Sequence, residues 1–360
     1  GEHRMRTAGI MGRVNCVGRA EIELWTVLSD WSITPLSISP YKDVYRVEAE
    51  EGSFCLKEID RRLNRALALE GVLAHLKTKG FAKIAAAHET KEGKLICQAS
   101  NGRNYILTDW LMGRKPSFRT SDEDIAEAAV TLAEFHQASE GYTPPTGAEL
   151  RSRLNRWPTR FSSRLRQLVE LREQLEHKPL LDNFDRVFVE YYPWILDRAQ
   201  DGWCVLSTSQ YDDLVKAARE ARSFCHGDTA ERNFVITPEN GCCLIDLDLV
   251  RRDIRIADVY KLLRDVLKKR NWGFPSAQLI LDSYSSIAPL NLEEITVLYA
   301  MLAYPNKIIH LILRYYIKRE GKTSTWPVRK FIRKLQGLGE QQPLVDQFLE
   351  DFRSEYGIGK

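Results

Sequence analysis

The sequence predicts an α+β protein with two lobes: a small antiparallel sheet with one helix, followed by a mainly helical lobe. In residues 44–59, polar and apolar side chains alternate on either side of a Glu-Glu-Gly turn, which is the pattern of a β-hairpin. After residue 260 the pattern is helical to the end of the chain. A third pattern, two short strand-like runs joined by Asn240–Gly241, predicts another hairpin within the second lobe.

The composition is that of an ordinary soluble globular protein, with 360 residues, 44% hydrophobic and 28% charged. The net charge of +3 does not by itself indicate a nucleic-acid partner. No apolar run approaches the roughly eighteen residues of a membrane span, and the first residues lack the apolar core of a signal peptide. Seven scattered cysteines indicate reduced thiols, so we expect a protein made in the cytoplasm, with no membrane contact.

The expected domain boundaries follow the changes of pattern. Residues 1–20 are basic and weakly patterned, which predicts a loose N-terminal arm. Residues 21–113 form the predicted first lobe, and residues 114–360 form the second. The second lobe divides into a loop-and-hairpin segment and two helical regions: 224–250, 141–220 and 270–360.

One helix of the first lobe is predicted to begin with Asp60 as its cap and to end at Lys79, just before Gly80. Glu70 falls on its apolar stripe, and a carboxylate on the buried side of a helix needs a cationic partner. Lys57, near the end of the preceding strand, is the natural candidate, so we predict an ion pair between Lys57 and Glu70. The stripe consists of apolar residues at helical spacing: Leu63, Ala66, Leu67, Leu73 and Ala74.

The segment from Phe224 to Tyr260 carries the chemistry. Asp228 and Asn233 stand five residues apart, and the predicted hairpin then returns the chain to Asp246 and Asp248. Each residue alone is typical of a turn. Together they provide what phosphoryl transfer needs, a carboxylate for the acceptor hydroxyl and an amide and acids for magnesium.

Four motifs resemble the aminoglycoside phosphotransferase/choline kinase branch of the protein-kinase-like fold. They are H-G-D-x-x-x-x-N at 226–233, I-D-L-D at 245–248, A-D at 257–258 and L-A-E-F-H at 132–136. Within that branch, R-R-D-I-R-I-A-D-V-Y-K-L-L-R at 251–264 resembles the CotS-type spore coat proteins of endospore-forming bacteria. The resemblance implies a two-lobed protein-kinase-like fold and transfer of the γ-phosphoryl group of ATP to a hydroxyl.

The resemblance also assigns roles around the loop and hairpin. Asp228 would be the catalytic carboxylate that orients the acceptor hydroxyl and accepts its proton. Asn233 and Asp246 would hold Mg²⁺, and Asp248 would be an additional acid of the same site. Three further residues are implied to brace or pack against the catalytic loop: His136, His226 and Asp258.

In the first lobe, the resemblance implies an ATP site. Lys57, held by Glu70, would contact the α- and β-phosphates. The backbone of Asp109 and Leu111, in the connector L-T-D-W-L, would meet the adenine edge. ATP and Mg²⁺ are therefore the expected cofactors.

One departure from the kinase pattern leaves two functions open. Residues 36–43, taken as the phosphate loop between the first two strands, contain no glycine, although close approach of backbone to phosphate favours glycine. Ser37, Ser39 and Lys42 are the alternative phosphate contacts. One hypothesis is a phosphotransferase acting on a small-molecule or saccharide hydroxyl, located at the spore coat. The other is a non-catalytic spore coat protein that retains a kinase fold and binds other coat proteins.

An arginine-rich segment bears on the acceptor. Residues 151–166 hold six arginines and no acid. One interpretation is a solvated helical face, and another is recognition of an anionic acceptor or partner, such as a phosphorylated or uronic-acid sugar. Nucleic acid is disfavoured because few aromatic residues are interleaved with the arginines.

Overall fold

The computed structural model describes residues 21–319 and 327–359, so the predicted N-terminal arm lies outside the described residues. The chain divides into two compact units. The first unit runs up to Arg114 and includes Tyr142–Arg151 and Val235–Asp248. The second unit contains the remainder: Lys115–Gly141, Ser152–Phe234 and the chain from Leu249 onward.

The elements confirm the predicted antiparallel sheet and the mainly helical second part. The strands are β1 Pro35–Tyr41, β2 Val44–Ala49, β3 Gly52–Ile59, β4 Ile96–Gln98, β5 Asn104–Asp109, β6 Arg151–Ser152, β7 Phe234–Thr237, β8 Gly241–Leu244 and β9 Arg251–Arg252. The helices are α1 21–28, α2 Leu63–Thr78, α3 Asp122–Ser139, α4 Arg156–Glu176, α5 Asn183–Thr208, α6 Tyr211–Ala221, α7 Ile256–Lys269, α8 Phe274–Ser285, α9 Leu292–Ala303, α10 Asn306–Arg319, α11 Val328–Gly339 and α12 Gln342–Tyr356. A 3₁₀ turn covers Glu231–Asn233.

The first unit is built on a five-stranded sheet with strand order β1-β2-β3-β5-β4. Leu56 on β3 and Leu107 on β5 are opposite each other and fully buried. Leu28 and Trp31, at and just after the end of α1, bury their side chains in the same core. Because neighbouring residues on a strand point to opposite faces, Lys57 lies on the face opposite Leu56.

The prediction of a phosphate loop at residues 36–43 was wrong. Most of that segment is strand β1, in which Ser37 pairs with Glu48 and Ser39 pairs with Arg46. The β1–β2 connection is a tight turn at Lys42 and Asp43, and Lys42 has a φ of 53°. The strand was missed because β1 is an exposed edge strand and lacks a regular alternation of apolar residues.

The predicted start and apolar stripe of α2 also need correction. The helix begins at Leu63, while Asp60 lies before it and accepts hydrogen bonds from the backbone and side chain of Arg62. Leu63 is exposed rather than buried. The face that packs inward is rotated relative to the predicted stripe and consists of Ala66, Ala68, Leu69, Val72, Leu73 and Leu76.

The second unit is a helical assembly with close interhelical packing. Helix α3 is capped by Ser121, whose side chain accepts the backbone N–H of Asp124 at 3.1 Å. Helix α5 packs along α9 at Gly202, where an added Cβ atom would lie 2.8 Å from the carbonyl oxygen of Ala300. This glycine therefore permits the close approach of the two helices.

Within residues 21–319 and 327–359, no single helix combines the length and low charge of a membrane span. The consecutive helices α9 and α10 meet that criterion only as a pair, with a bend of 40° between them.

Candidate functional site

In the first unit, Lys57 is held by two carboxylates. Its Nζ lies 2.9 Å from Oδ1 of Asp246 and 2.9 Å from Oδ2 of Asp248. The lysine side chain is only 12% exposed, so these contacts are shielded from water more than a surface ion pair would be. Three of the residues singled out from the sequence therefore lie together in one compact unit.

The electrostatics of this cluster favour a cation. Burial alone would lower the pKa of Lys57, but Asp248 and Asp246 raise it by more, which keeps the ammonium charged. Burial raises the pKa of Asp248 and the charge of Asp246 adds to this effect, while Lys57 opposes it. Two adjacent acids with one lysine leave a net negative charge, and their oxygen atoms are the donors that magnesium prefers. The residues present therefore fit Mg²⁺.

The backbone at Asp246 is strained. Its φ is 64°, in the left-handed region that non-glycine residues rarely adopt. The Asp248 N–H donates to Oδ1 of Asp246 at 3.2 Å, and the Leu244 N–H donates to the Lys83 carbonyl at 2.9 Å. These contacts hold the exit of the β7–β8 hairpin in the first unit. Strain of this kind is concentrated at ligand and catalytic sites.

The predicted ion pair between Lys57 and Glu70 was wrong. The Glu70 carboxylate accepts the backbone N–H groups of Leu95 and Ile96, both at 2.9 Å. The rotation of α2 relative to the predicted stripe explains the difference, because it directs Glu70 to the start of the edge strand β4. Lys57 takes Asp246 and Asp248 as its partners instead.

The connector after β5 leaves backbone groups free for a ligand. The Asp109 N–H donates to the Ala86 carbonyl at 2.9 Å, and the Trp110 N–H donates to the Ser53 carbonyl at 3.1 Å. Leu111, by contrast, makes no backbone hydrogen bond to any residue in the described part of the chain. Its N–H is thus available, which is what recognition of an adenine edge requires.

In the second unit, Asp228 lies between two cations. Its Oδ2 accepts a hydrogen bond from Arg232 at 2.5 Å, and Lys261 Nζ lies 3.2 Å from Oδ1. Asp228 is 8% exposed, and its Oδ1 accepts no hydrogen bond from the residues that the structure describes. Both cations were missed in the sequence, although each lies inside a motif quoted there. The spacing of four to Arg232 on the loop was the available signal.

Asn233 is fixed by the same loop. It ends the 3₁₀ turn, and its side-chain NH₂ donates to the Asp228 carbonyl at 2.8 Å. This contact orients the amide so that its oxygen is the atom left to contact a cation.

Asp258 braces the catalytic loop. Its two oxygens accept the N–H groups of His226 at 2.7 Å and Gly227 at 2.9 Å, and its Oδ2 lies 2.8 Å from His136 Nε2. Burial would raise the pKa of Asp258, but His136, His226 and the Gly227 N–H lower it to about 2. The predicted bracing by these side chains is confirmed. Gly227 has a φ of 90°, and a Cβ atom there would meet the Leu249 carbonyl oxygen at 2.3 Å.

His136, Cys225 and Asp258 have ligand atoms within 4.8 Å of one another. This buried group does not make a metal site, because its atoms already have partners. His136 Nδ1 lies 2.6 Å from the Tyr284 hydroxyl, and both Asp258 oxygens accept backbone hydrogen bonds. Burial and the nearby acids Asp258 and Asp253 also raise the pKa of Cys225, so it remains a thiol.

The fold is that of the protein-kinase-like phosphotransferases. An aminoglycoside phosphotransferase from Alicyclobacillus acidocaldarius superposes with a TM-score of 0.76 at 22% identity, over 92% of this chain and 96% of that one. An amicoumacin kinase, solved with AMP-PNP and Ca²⁺, superposes with a TM-score of 0.59 at 13% identity, over 91% of this chain and 93% of that one.

The sequence places the chain more narrowly. Residues 26–352 match the family described as "Spore coat putative kinase YutH", and the chain belongs to this family. Spore coat protein S of Bacillus subtilis is 28% identical over 320 residues, which cover 88% of each chain. The endospore coat-associated protein YutH of the same organism is 25% identical over 65% of each chain.

Proposed function

We propose that this protein is an ATP- and Mg²⁺-dependent phosphotransferase of the spore coat, acting on a hydroxyl of a small molecule or saccharide. The observation that carries the proposal is Asp228, a buried carboxylate whose Oδ1 has Lys261 Nζ at 3.2 Å as an ionic partner but accepts no hydrogen bond from the described chain. This oxygen can still accept a hydrogen bond from a donor on a ligand. A substrate hydroxyl supplies that donor.

The nucleotide role falls to the first unit. Lys57 contacts the phosphates, and Asp246 and Asp248 hold Mg²⁺, which when bound neutralises charge on the β- and γ-phosphates. The free N–H of Leu111 and the carbonyl of Asp109 meet the adenine edge. Glu70 has only an indirect role in nucleotide binding, because its carboxylate holds the start of β4 and does not contact Lys57.

The acceptor role falls to the second unit. Asp228 accepts the proton of the acceptor hydroxyl. The hydroxyl oxygen forms a bond to the γ-phosphorus of ATP while the bond between that phosphorus and the leaving ADP oxygen breaks. Lys261 and Arg232 keep the carboxylate in position. Asn233 retains its predicted role as an amide ligand of the cation.

The test is transfer from γ-labelled ATP, with Mg²⁺, to a panel of sugars and amino alcohols, together with hydrolysis to water without an acceptor. We expect Asp228→Asn to lower both rates by about a hundredfold or more, since it removes the general base, while nucleotide affinity stays unchanged. Asp212→Asn, a matched change at an exposed residue of α6, should have no effect. Equal rates for wild type and Asp228→Asn would contradict the proposal.

The second candidate is a non-catalytic coat protein that binds other coat proteins through a kinase fold. It is favoured by the paired state of Lys57, which already gives Asp246 and Asp248 a cation. A fluorescent fusion expressed in sporulating Bacillus subtilis tests this second candidate. The scaffold proposal expects coat localisation to survive Asp228→Asn, and loss of localisation in that folded variant would contradict it.

A further inference from the structure

Four arginines of the second unit lie close together and form a positively charged cluster. They are Arg153, just before α4, Arg160 and Arg164 on α4, and Arg251 on β9, and they are called the arginine cluster below. Arg160 and Arg164 are four residues apart and so lie on one face of the helix. Both are half-buried, the Arg251 side chain is only 14% exposed, and Arg153 lies at the exposed edge of the cluster.

Asp253 is the one acid paired with the cluster among the described residues. Within residues 21–319 and 327–359, Arg153, Arg160 and Arg164 form no ion pair with a carboxylate. Arg251 has Asp253 at 3.7 Å, but its Nε is buried without a hydrogen-bond partner. Cationic groups that are removed from water normally require such partners.

The arginines also destabilise one another electrostatically. Burial lowers the pKa of Arg160, and the charges of Arg164 and Arg251 lower it further. Burial likewise lowers the pKa of Arg153, with Arg251 and Arg160 adding to the effect. Guanidinium groups remain protonated under these conditions, so the shifts report mainly the cost of burying charge, with repulsion between the arginines added, and a bound anion would offset both.

The cluster is connected to the catalytic loop inside the second unit. Arg251 exchanges backbone hydrogen bonds with Cys225, three residues before Asp228, at 2.8 and 3.1 Å. From α4, Trp157 packs edge-on against Tyr260, with ring centroids 6.0 Å apart, and Tyr260 directly precedes Lys261. Both contacts therefore join the cluster to residues near Asp228 or its partner Lys261.

We propose that the arginine cluster binds a phosphate or carboxylate group of the acceptor, so that the substrate is an anionic small molecule or saccharide. That the bound anion belongs to the acceptor rests on the proposed function. The anion site itself is inferred from the arginine cluster alone. Guanidinium forks match the planar oxygens of both groups with paired hydrogen bonds. A cationic acceptor would instead require acidic residues at this position.

The probes are glucose 6-phosphate and glucuronate, with glucose as the uncharged control, titrated into the full chain at low ionic strength. We expect both anions to bind and glucose not to bind. The double variant Arg160→Gln/Arg164→Gln should weaken anion binding by about tenfold or more, because each lost contact is charge-assisted. Arg166→Gln, on the same helix but exposed and outside the cluster, should bind like wild type.

Thermal unfolding without ligand separates binding from a structural role. Removing repelling charges should raise the melting temperature of the double variant, whereas loss of structural contacts would lower it. A lower melting temperature, undiminished anion binding in the double variant, or preference for an oligonucleotide over both sugar anions would overturn the inference. Anion binding without any phosphoryl transfer would support the site and count against the proposed function. Binding of Mg²⁺-ATP without any binding of the sugar anions would support the proposed function and overturn the anion site.

Discussion

At Asp258, one buried carboxylate accepts hydrogen bonds from two successive N–H groups of the catalytic loop and contacts His136. The loop residues that follow include Asp228, so the position of the proposed base depends on a residue thirty places further along the chain. Gly227, which directly precedes Asp228, is equally constrained, because a side chain there would collide with the Leu249 carbonyl. The conformation of this loop is therefore fixed by residues other than the proposed base.

Asp258→Asn should lower the free energy of unfolding by about 3–5 kcal/mol, the cost of leaving a buried partner network uncompensated. The amide cannot replace two acceptor oxygens that both face N–H groups. Urea unfolding at neutral pH measures this change. Asp212→Asn, at an exposed position in the first turn of α6, should cost less than about 1 kcal/mol. Similar losses in the two variants would contradict the bracing role.

The lowered pKa of Asp258 also predicts that the free energy of unfolding depends on pH. Its folded-state pKa of about 2 lies below the ordinary value of 3.8, so its ionised form stabilises the fold above pH 3.8. As the pH falls from 3.8 towards 2, about 2 kcal/mol of that contribution should be lost. The gap in unfolding free energy between wild type and Asp258→Asn should narrow across this window. A gap that stays constant with pH would show that the carboxylate is not specially stabilised.

At the level of secondary structure, strand β3 and the exit of the β7–β8 hairpin supply the residues of the proposed magnesium site in the first unit. The strand presents Lys57 on the face opposite its buried leucine, and the hairpin exit presents Asp246 and Asp248. Neither element alone would be stable with these charges, because each leaves a partly buried ionic group without a partner.

Lys57→Met should destabilise this arrangement and make it more responsive to magnesium. Without the lysine, the two acids repel each other, so the melting temperature without ligand should fall. Mg²⁺ without nucleotide should then raise the melting temperature of the variant more than that of wild type, because the cation relieves the repulsion. Lys91→Met, at an exposed lysine of the same unit, should leave both quantities unchanged. An equal magnesium response in wild type and Lys57→Met would contradict a shared cation site.

At the scale of the whole molecule, the proposed roles are divided between the two compact units. Nucleotide groups belong to the first, and Asp228 and the arginine cluster belong to the second. Each unit has its own core, exemplified by Leu107 in the first and by the stacked rings of Phe161 and Tyr304 in the second.

Hydrogen exchange should reveal this division. We expect Mg²⁺-ATP to slow exchange mainly in β3, the connector after β5 and residues 244–248. Glucose 6-phosphate should slow exchange mainly in α4, β9 and the catalytic loop, because ligand contacts raise the local cost of opening. Mass spectrometry of peptic peptides resolves these segments. Protection by the two ligands in the same segments would contradict the assignment of roles.

The sequence was most informative where the signal is local. The loop residues and hairpin acids follow one another closely, so their spacing predicted the loop and the hairpin, while the bracing by Asp258 was implied by the family resemblance. Glu70 was misassigned because a small rotation of α2 changes which strand its carboxylate faces, and helical periodicity does not fix that rotation. Strand β1 was missed because an exposed edge strand carries little apolar alternation.

The arginine-rich segment illustrates a different limit. Its six arginines were visible as a run of charge, but the run gave no basis for separating solvated side chains from half-buried ones. Tertiary packing makes that distinction, because it places Arg160 near Arg251, which comes from a strand about ninety residues later. The predicted roles of the site residues in phosphoryl transfer stay predictions until they are measured.

The central claim is that Lys57, Asp246 and Asp248 form a magnesium-nucleotide site, and calorimetric titration of the full chain with ATP tests it most directly. We expect saturable ATP binding at millimolar or lower concentration in the presence of Mg²⁺, and loss of that binding with a chelator or in Asp246→Ala. Asp43→Ala, at an exposed acid of the same unit, should bind like wild type. Absence of Mg²⁺-dependent ATP binding in the wild-type protein, or undiminished binding in Asp246→Ala, would contradict the claim.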